Sequence, residues 1–148
     1  MHADRSDCLF CRIAAGAAPS FAVHSDEAVH AFLDINPIRP GHVQIVPKAH
    51  YAYFEDLPPD IAARMFSLGQ RLAVALKELY GVPRVAFLFS GGDLPHAHAH
   101  VVPLVHGTDI TSRRYIAEET LTFRATPRPP DGELRATADR IRGVLERS

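Results

Sequence analysis

The chain has 148 residues, 47% of them apolar and 22% charged, with a formal charge of −1 at pH 7. That length suits a single domain over residues 1–148, because such a chain buries about two thirds of the surface its unfolded form would expose. A near-neutral charge removes the electrostatic case for a dedicated DNA or RNA binder, and the apolar runs are strand-length, too short for a membrane-spanning helix.

Residues 1–7 lack the basic-then-apolar build of a signal peptide, so the expectation is a cytoplasmic protein that takes a small ligand, with no nucleic-acid or membrane partner. Residues 8–16 predict a short helix ending at Gly16. Cys8 and Cys11 are the only cysteines, and their spacing in a reducing cytosol argues against a structural disulfide and leaves metal or redox chemistry. Residues 21–24 and 28–33 read as two strands of a hairpin across Ser25-Asp26-Glu27. Asn36-Pro37 and Pro40-Gly41 bracket a loop, after which residues 42–46 alternate polar with branched apolar up to Pro47, a strand with one face in the core.

Ile61, Met65, Leu68, Leu72, Leu76 and Leu79 recur every three or four positions between Pro58-Pro59 and Gly81, the pattern of one long helix. Residues 85–89 are almost wholly apolar, as in a strand covered on both faces, and residues 98–104 fit its neighbour across Ser90-Gly91-Gly92-Asp93. After His106 the signals weaken until Pro127-Arg128-Pro129-Pro130 breaks the chain before a helix over 133–145. The expected fold is α+β, a mostly antiparallel sheet of about five strands with one long helix packed on it, plus a C-terminal helix; the core spans about 8–104 and an extension about 107–148.

The densest chemistry lies in Pro95-His96-Ala97-His98-Ala99-His100-Val101-Val102-Pro103. Side chains of an extended strand alternate faces, so three imidazoles fall in a row on one side while Ala97, Ala99 and Val101 face the other. Chance rarely places three histidines at period two, and adventitious metal binding suits a His-rich tail better than a core-facing strand. A neutral imidazole whose far nitrogen donates to a backbone carbonyl points its lone pair at a substrate, and a neighbouring ring can donate to phosphoryl oxygens.

His96-Ala97-His98-Ala99-His100-Val101-Val102 resembles the His-φ-His-φ-His-φ-φ signature of the histidine-triad superfamily. Leu9-Phe10-Cys11-Arg12-Ile13, Ala31-Phe32-Leu33-Asp34-Ile35-Asn36-Pro37, Pro40-Gly41-His42-Val43 and Ile45-Val46-Pro47-Lys48-Ala49-His50 are similar, in order, to successive blocks of its Hint-like branch. The resemblance implies that His98 forms a covalent nucleotidyl intermediate on an α-phosphorus, that His100 contacts the phosphate, and that His42 supports it from the neighbouring strand. It implies Asp34 on the ribose hydroxyls of a purine nucleotide and Leu9, Phe10, Phe32, Leu33 and Ile35 as apolar walls of the base pocket. Core packing is the competing reading for those five, and a cap on the Asn36-Pro37 loop is that for Asp34.

The implied activity is a hydrolase or transferase acting on a nucleoside phosphoramidate, adenylate conjugate or dinucleoside polyphosphate, in a homodimer paired through the long helix and a strand. A nucleotide-binding module with little turnover and a zinc-stabilised interaction protein are the alternatives. Zinc-bearing members are similar in a further set, here Cys8, Cys11, His50 and His96. Two thiolates at Cys-x-x-Cys spacing grip one tetrahedral metal, and a shell filled by four protein ligands makes that zinc structural. Redox chemistry and two buried thiols remain the other readings of the pair. The chain departs from the family pattern just before the triad, where members carry a longer loop with an Asn near its start and a Gln or Ser near its end that contact the substrate phosphate and the leaving group. Ser90 and the backbone amides of Gly91 and Gly92 are the candidates there, against a plain tight turn. Arg113 and Arg114 are candidates for a distal phosphate, against a solvated charged face.

Overall fold

A computed structural model describes residues 7–92, 94–107, 109–110 and 125–148. Helix α1 (Leu9–Ala14) stops where Gly16 turns left-handed, at φ 76°. The Gly16 amide bonds the Ile13 carbonyl at 3.0 Å and the Ala17 amide bonds that of Arg12 at 2.8 Å, so the last carbonyls are satisfied within the turn. Strands β1 (Ala22–Ser25), β2 (Val29–Leu33) and β3 (Val43–Pro47) then form an antiparallel meander.

The chain leaves this sheet through a 3-10 turn at Phe54–Asp56 and the long helix α2 (Pro59–Tyr80), which ends on a left-handed Gly81. It returns as β4 (Arg84–Phe89) and β5 (Ala99–Leu104), and α3 (Asp131–Arg147) closes the chain against α2, β1 and β2. The sheet order is β1-β2-β3-β5-β4 with every pair antiparallel, the α+β fold expected. Among the described residues no helix is long and apolar enough to cross a membrane.

Period-two alternation divides the sheet into two faces. Val29, Ala31, Leu33, Val43, Ile45, Ala99 and Val101 meet Leu72, Leu76 and Ile141 from the two long helices in the main core. On the other face Phe32 and Val46 pack with Phe10 and Ile13 of α1, and the histidines stand beside them.

The expectation for residues 85–89 needs correction. Because β5 inserts between β3 and β4, β4 is an edge strand with half-exposed side chains, not a strand covered on both faces. Phe87 still closes on α2, where a Cβ on Gly69 would lie 2.5 Å from its ring, so only glycine admits that approach. Phe54, Phe89, Phe87 and Phe66 follow one another at ring spacings of 5.9, 5.9 and 5.4 Å along this edge. Phe54 and Phe66 are 61% and 53% exposed, an unusual amount of aromatic surface facing water.

Candidate functional site

The residues just before and within β5 carry the three imidazoles. His98 Nδ1 lies 2.7 Å from the His96 carbonyl oxygen. A carbonyl only accepts, so that nitrogen carries the proton and Nε2 keeps an unshared lone pair. The His98 ring rests edge-on against Phe10 at 5.2 Å and stands 5.1 Å from the ring of His100.

The protonation of His100 follows from its neighbours. The Ile38 amide donates to His42 Nδ1 at 3.1 Å, so neutral His42 carries its proton on Nε2, 2.9 Å from His100 Nδ1. His100 Nδ1 accepts that proton's bond, and its Nε2–H is left as a donor. Burial drives the His42 pKa down to about 4, outweighing the Asp34 carboxylate 3.6 Å away, which raises it. Burial, with His98 alongside, lowers that of His100 as well. Both rings are neutral near pH 7, one N–H each.

A stability consequence follows. Unfolded His42 titrates at the ordinary 6.5 and folded His42 at about 4, so between those values the unfolded chain binds more protons. Stability is therefore full above pH 6.5 and falls as the pH drops towards 4, by roughly 3 kcal/mol from this residue. Urea melts at pH 7 and 4.5 are expected to show the loss, and His42→Asn to make it smaller, with buried His30, His96 and His100, whose pKa values burial also lowers, supplying the remainder.

Asp34 does what its competing reading required, its Oδ1 accepting the Asn36 amide at 2.8 Å in a turn. Its Oδ2 accepts from Gln44 Nε2 at 2.8 Å. Each oxygen keeps a lone pair for a hydroxyl. Gln44 sits in the ladder between Phe32 and His100 and was missed in the sequence; the available signal was an amide on the non-core face of an otherwise apolar strand.

Among the proposed base-pocket walls, Phe10 and Phe32 meet edge-to-face at 5.6 Å and are buried, while Leu9 and Ile35 are exposed. Leu33 must be removed from that set. It follows Phe32 on the same strand, so it points through the sheet into the main core, where it is 2% exposed. Ser90 and Gly91 border a cleft of about 260 Å³ that also meets His98, Phe89, Tyr53 and Phe54. Arg113, Arg114 and Asp93 lie outside the described residues.

The second constellation is joined to the first through the backbone of His96. The ligand atoms of Cys8, Cys11, His50 and His96 all lie within 4.8 Å of one another. Cys8 Sγ is 3.3 Å from His96 Nδ1, Cys11 Sγ 3.4 Å from the same atom, and Cys11 Sγ 3.2 Å from His50 Nδ1. Tetrahedral zinc, with sulfur at about 2.3 Å and nitrogen at about 2.0–2.1 Å, sets such pairs about 3.6 Å apart, so a small expansion admits the ion. His96 Nε2 donates to the Pro47 carbonyl at 2.9 Å, which leaves Nδ1 as the lone pair facing the thiols. Asp34, His42 and His100 also cluster, but the proton on His42 Nε2 occupies the nitrogen a cation would need.

Comparison with known proteins bears on the family and the fold. A family model described as HIT domain matches residues 15–107. An uncharacterized HIT-like protein of Methanocaldococcus jannaschii is 36% identical over 104 residues, 68% of this chain and 81% of that one. Adenosine 5'-monophosphoramidase HNT1 of Saccharomyces cerevisiae is 34% identical over 97 residues, 65% of this chain and 61% of that one. Among solved structures, a Zn-bound histidine triad family protein from Mycobacterium smegmatis superimposes with a TM-score of 0.75 at 30% identity, covering 97% of this chain and 96% of the other.

Proposed function

This chain belongs to the HIT domain family, and from that membership we propose that it is a nucleotide hydrolase or transferase that cleaves at the α-phosphorus of a purine nucleoside phosphoramidate, adenylate conjugate or dinucleoside polyphosphate. The observation that carries the reading is the His96 carbonyl on His98 Nδ1, which presents a nucleophilic Nε2 beside the N–H of His100.

In the first step the Nε2 lone pair bonds to phosphorus and the P–N or P–O bond breaks, its electron pair leaving with the amine, acid or phosphate, which takes up a proton. Water then attacks the nucleotidyl group, the P–Nε2 bond breaks, and His98 regains its lone pair while a proton is released. The N–H of His100, supported by His42, stabilises charge on the phosphoryl oxygens in both steps. Asp34 takes the ribose hydroxyls and Phe10 and Phe32 flank the base. The yeast relative's name supports a phosphoramidate as the first substrate to try.

Adenosine 5'-phosphoramidate and diadenosine polyphosphates, offered separately, test the proposal through AMP release and a protein-bound AMP caught by rapid quench and mass spectrometry. Absence of both release and binding with all of them would sink it. Binding without release would favour the nucleotide-binding alternative, which the short stretch Ser90-Gly91-Gly92 before the triad keeps in play.

Cys8, Cys11, His50 and His96 are proposed to hold a structural zinc; the solved Zn-bound relative and the thiol–imidazole spacing support it. Such thiolates suit the reducing cytoplasm proposed from the sequence. The exposed aromatic edge of β4 and α2 supports a homodimer formed there. Light scattering is expected to give twice the 16.3 kDa chain mass, and Phe66→Glu to halve it; a wild-type monomer would refute the pairing.

A further inference from the structure

We propose that Asp109 and Arg39 are positioning residues that set the direction of the hydrogen bond between His42 and His100, acting through the loop that joins Asp34 to His42; this rests on the nucleotide-transfer reading for its consequence, though not for its geometry. Asp109 lies beyond the residues that the family model matches. Its side chain is only 7% exposed, and its carboxylate accepts four hydrogen bonds. Oδ1 accepts from Arg39 Nη2 at 2.7 Å, and Oδ2 accepts from Arg39 Nε at 3.0 Å and from the amides of Val105 and His106 at 2.8 and 3.0 Å. Two parallel bonds from one guanidinium fix direction as well as distance.

The fork matters because of what the same loop does next. The Arg39 carbonyl accepts the His42 amide at 3.0 Å, and the amide of the preceding residue, Ile38, donates to His42 Nδ1. Pro37 and Pro40 flank these two residues and have no N–H of their own, so the loop has few backbone bonds with which to brace itself. The brace comes from the chain beyond β5. Asp109 holds Arg39, and at the loop's start Asn36 and Thr126 exchange two bonds, Nδ2 to carbonyl at 3.2 Å and Oγ1 to carbonyl at 2.9 Å.

An imidazole pair sharing one proton bond has two directions. With the Ile38 amide on His42 Nδ1, the proton sits on His42 Nε2 and His100 turns an N–H outward. Without it, His42 can place its proton on Nδ1 and accept from His100 Nδ1–H, which turns a lone pair of His100 towards the phosphate and repels it. Asp109 touches neither ring. It selects between the two directions by holding the amide in place.

The test is the tautomer itself, read by long-range 1H–15N spectra of the histidine rings beside steady-state kinetics. Wild-type protein is expected to show both His42 and His100 as Nε2–H tautomers. In Asp109→Ala both become mixtures and kcat falls about 10-fold, a fraction of what losing an oxyanion donor outright costs. KM stays within about 3-fold, because Asp34 keeps its bonds to Asn36 and Gln44 and ground-state binding is little changed. Arg39→Lys retains the charge without the fork and is expected to lie between the two, and it decides the matter if Asp109→Ala does not fold. Pure Nε2–H tautomers in the variants would overturn the proposal whether or not nucleotides are hydrolysed. Wild-type tautomers as stated, mixed in the variants, with no turnover of any nucleotide, would leave the positioning intact and remove the enzymatic reading instead.

Discussion

His98→Ala is expected to stop AMP release, lowering kcat on the order of 10⁴-fold or more, while the protein keeps its fold. No neighbour can replace the missing lone pair. His100 Nδ1 accepts from His42 and its Nε2 carries a proton, and His96 has both nitrogens committed, one to the Pro47 carbonyl and one towards the thiols. The truncated ring borders a cleft and does not sit in the main core, so water fills the gap and the melting temperature moves by only a few degrees. His100→Ala is the instructive contrast. It keeps the nucleophile and removes a donor, so protein-bound AMP still forms but at a rate lower by about 10²–10³-fold. Retention of more than a tenth of wild-type activity by folded His98→Ala would sink covalent catalysis at that position.

The second large effect concerns the thiol–imidazole cluster. Purified protein is expected to carry one zinc per chain by elemental analysis, and Cys11→Ser or a strong chelator to release it. Binding energy at such a site is folding energy, and losing even part of it is expected to cost about 3 kcal/mol or more, a fall of about 10 °C in melting temperature. Activity should fall too, since the His96 carbonyl that fixes the His98 tautomer belongs to a residue of the cluster. A full-strength melt and full activity in metal-free protein would refute a structural role.

How far the sequence could be read differs from residue to residue. The histidine row was legible because a period of two is a local property of an extended chain, and Ala97, Ala99 and Val101 do face the core. Leu33 enters the base-pocket set only through a block of residues similar to the family's, although the same alternation that orders the histidines forbids Phe32 and Leu33 from sharing a face. The apolar run of β4 reads as a doubly covered strand, because composition does not reveal where a strand lies in a sheet. Nothing local announces that β5 slots between β3 and β4. Asp109 was invisible for a related reason: its partner is 70 positions away, and a lone aspartate after a strand looks like any turn residue.

That insertion also orders events in time. Cys8, Cys11 and His50 are made before α2, whereas His96 follows β4. A nascent chain halted near residue 90 has three of the four cluster groups and a β3 whose outer edge is unpaired, a surface open to wrong partners. Docking of β5 covers that edge and brings in the fourth group together with His98, the proposed nucleophile. Assembly intermediates are therefore expected to be inert towards nucleotides, with competence appearing in one late step of folding.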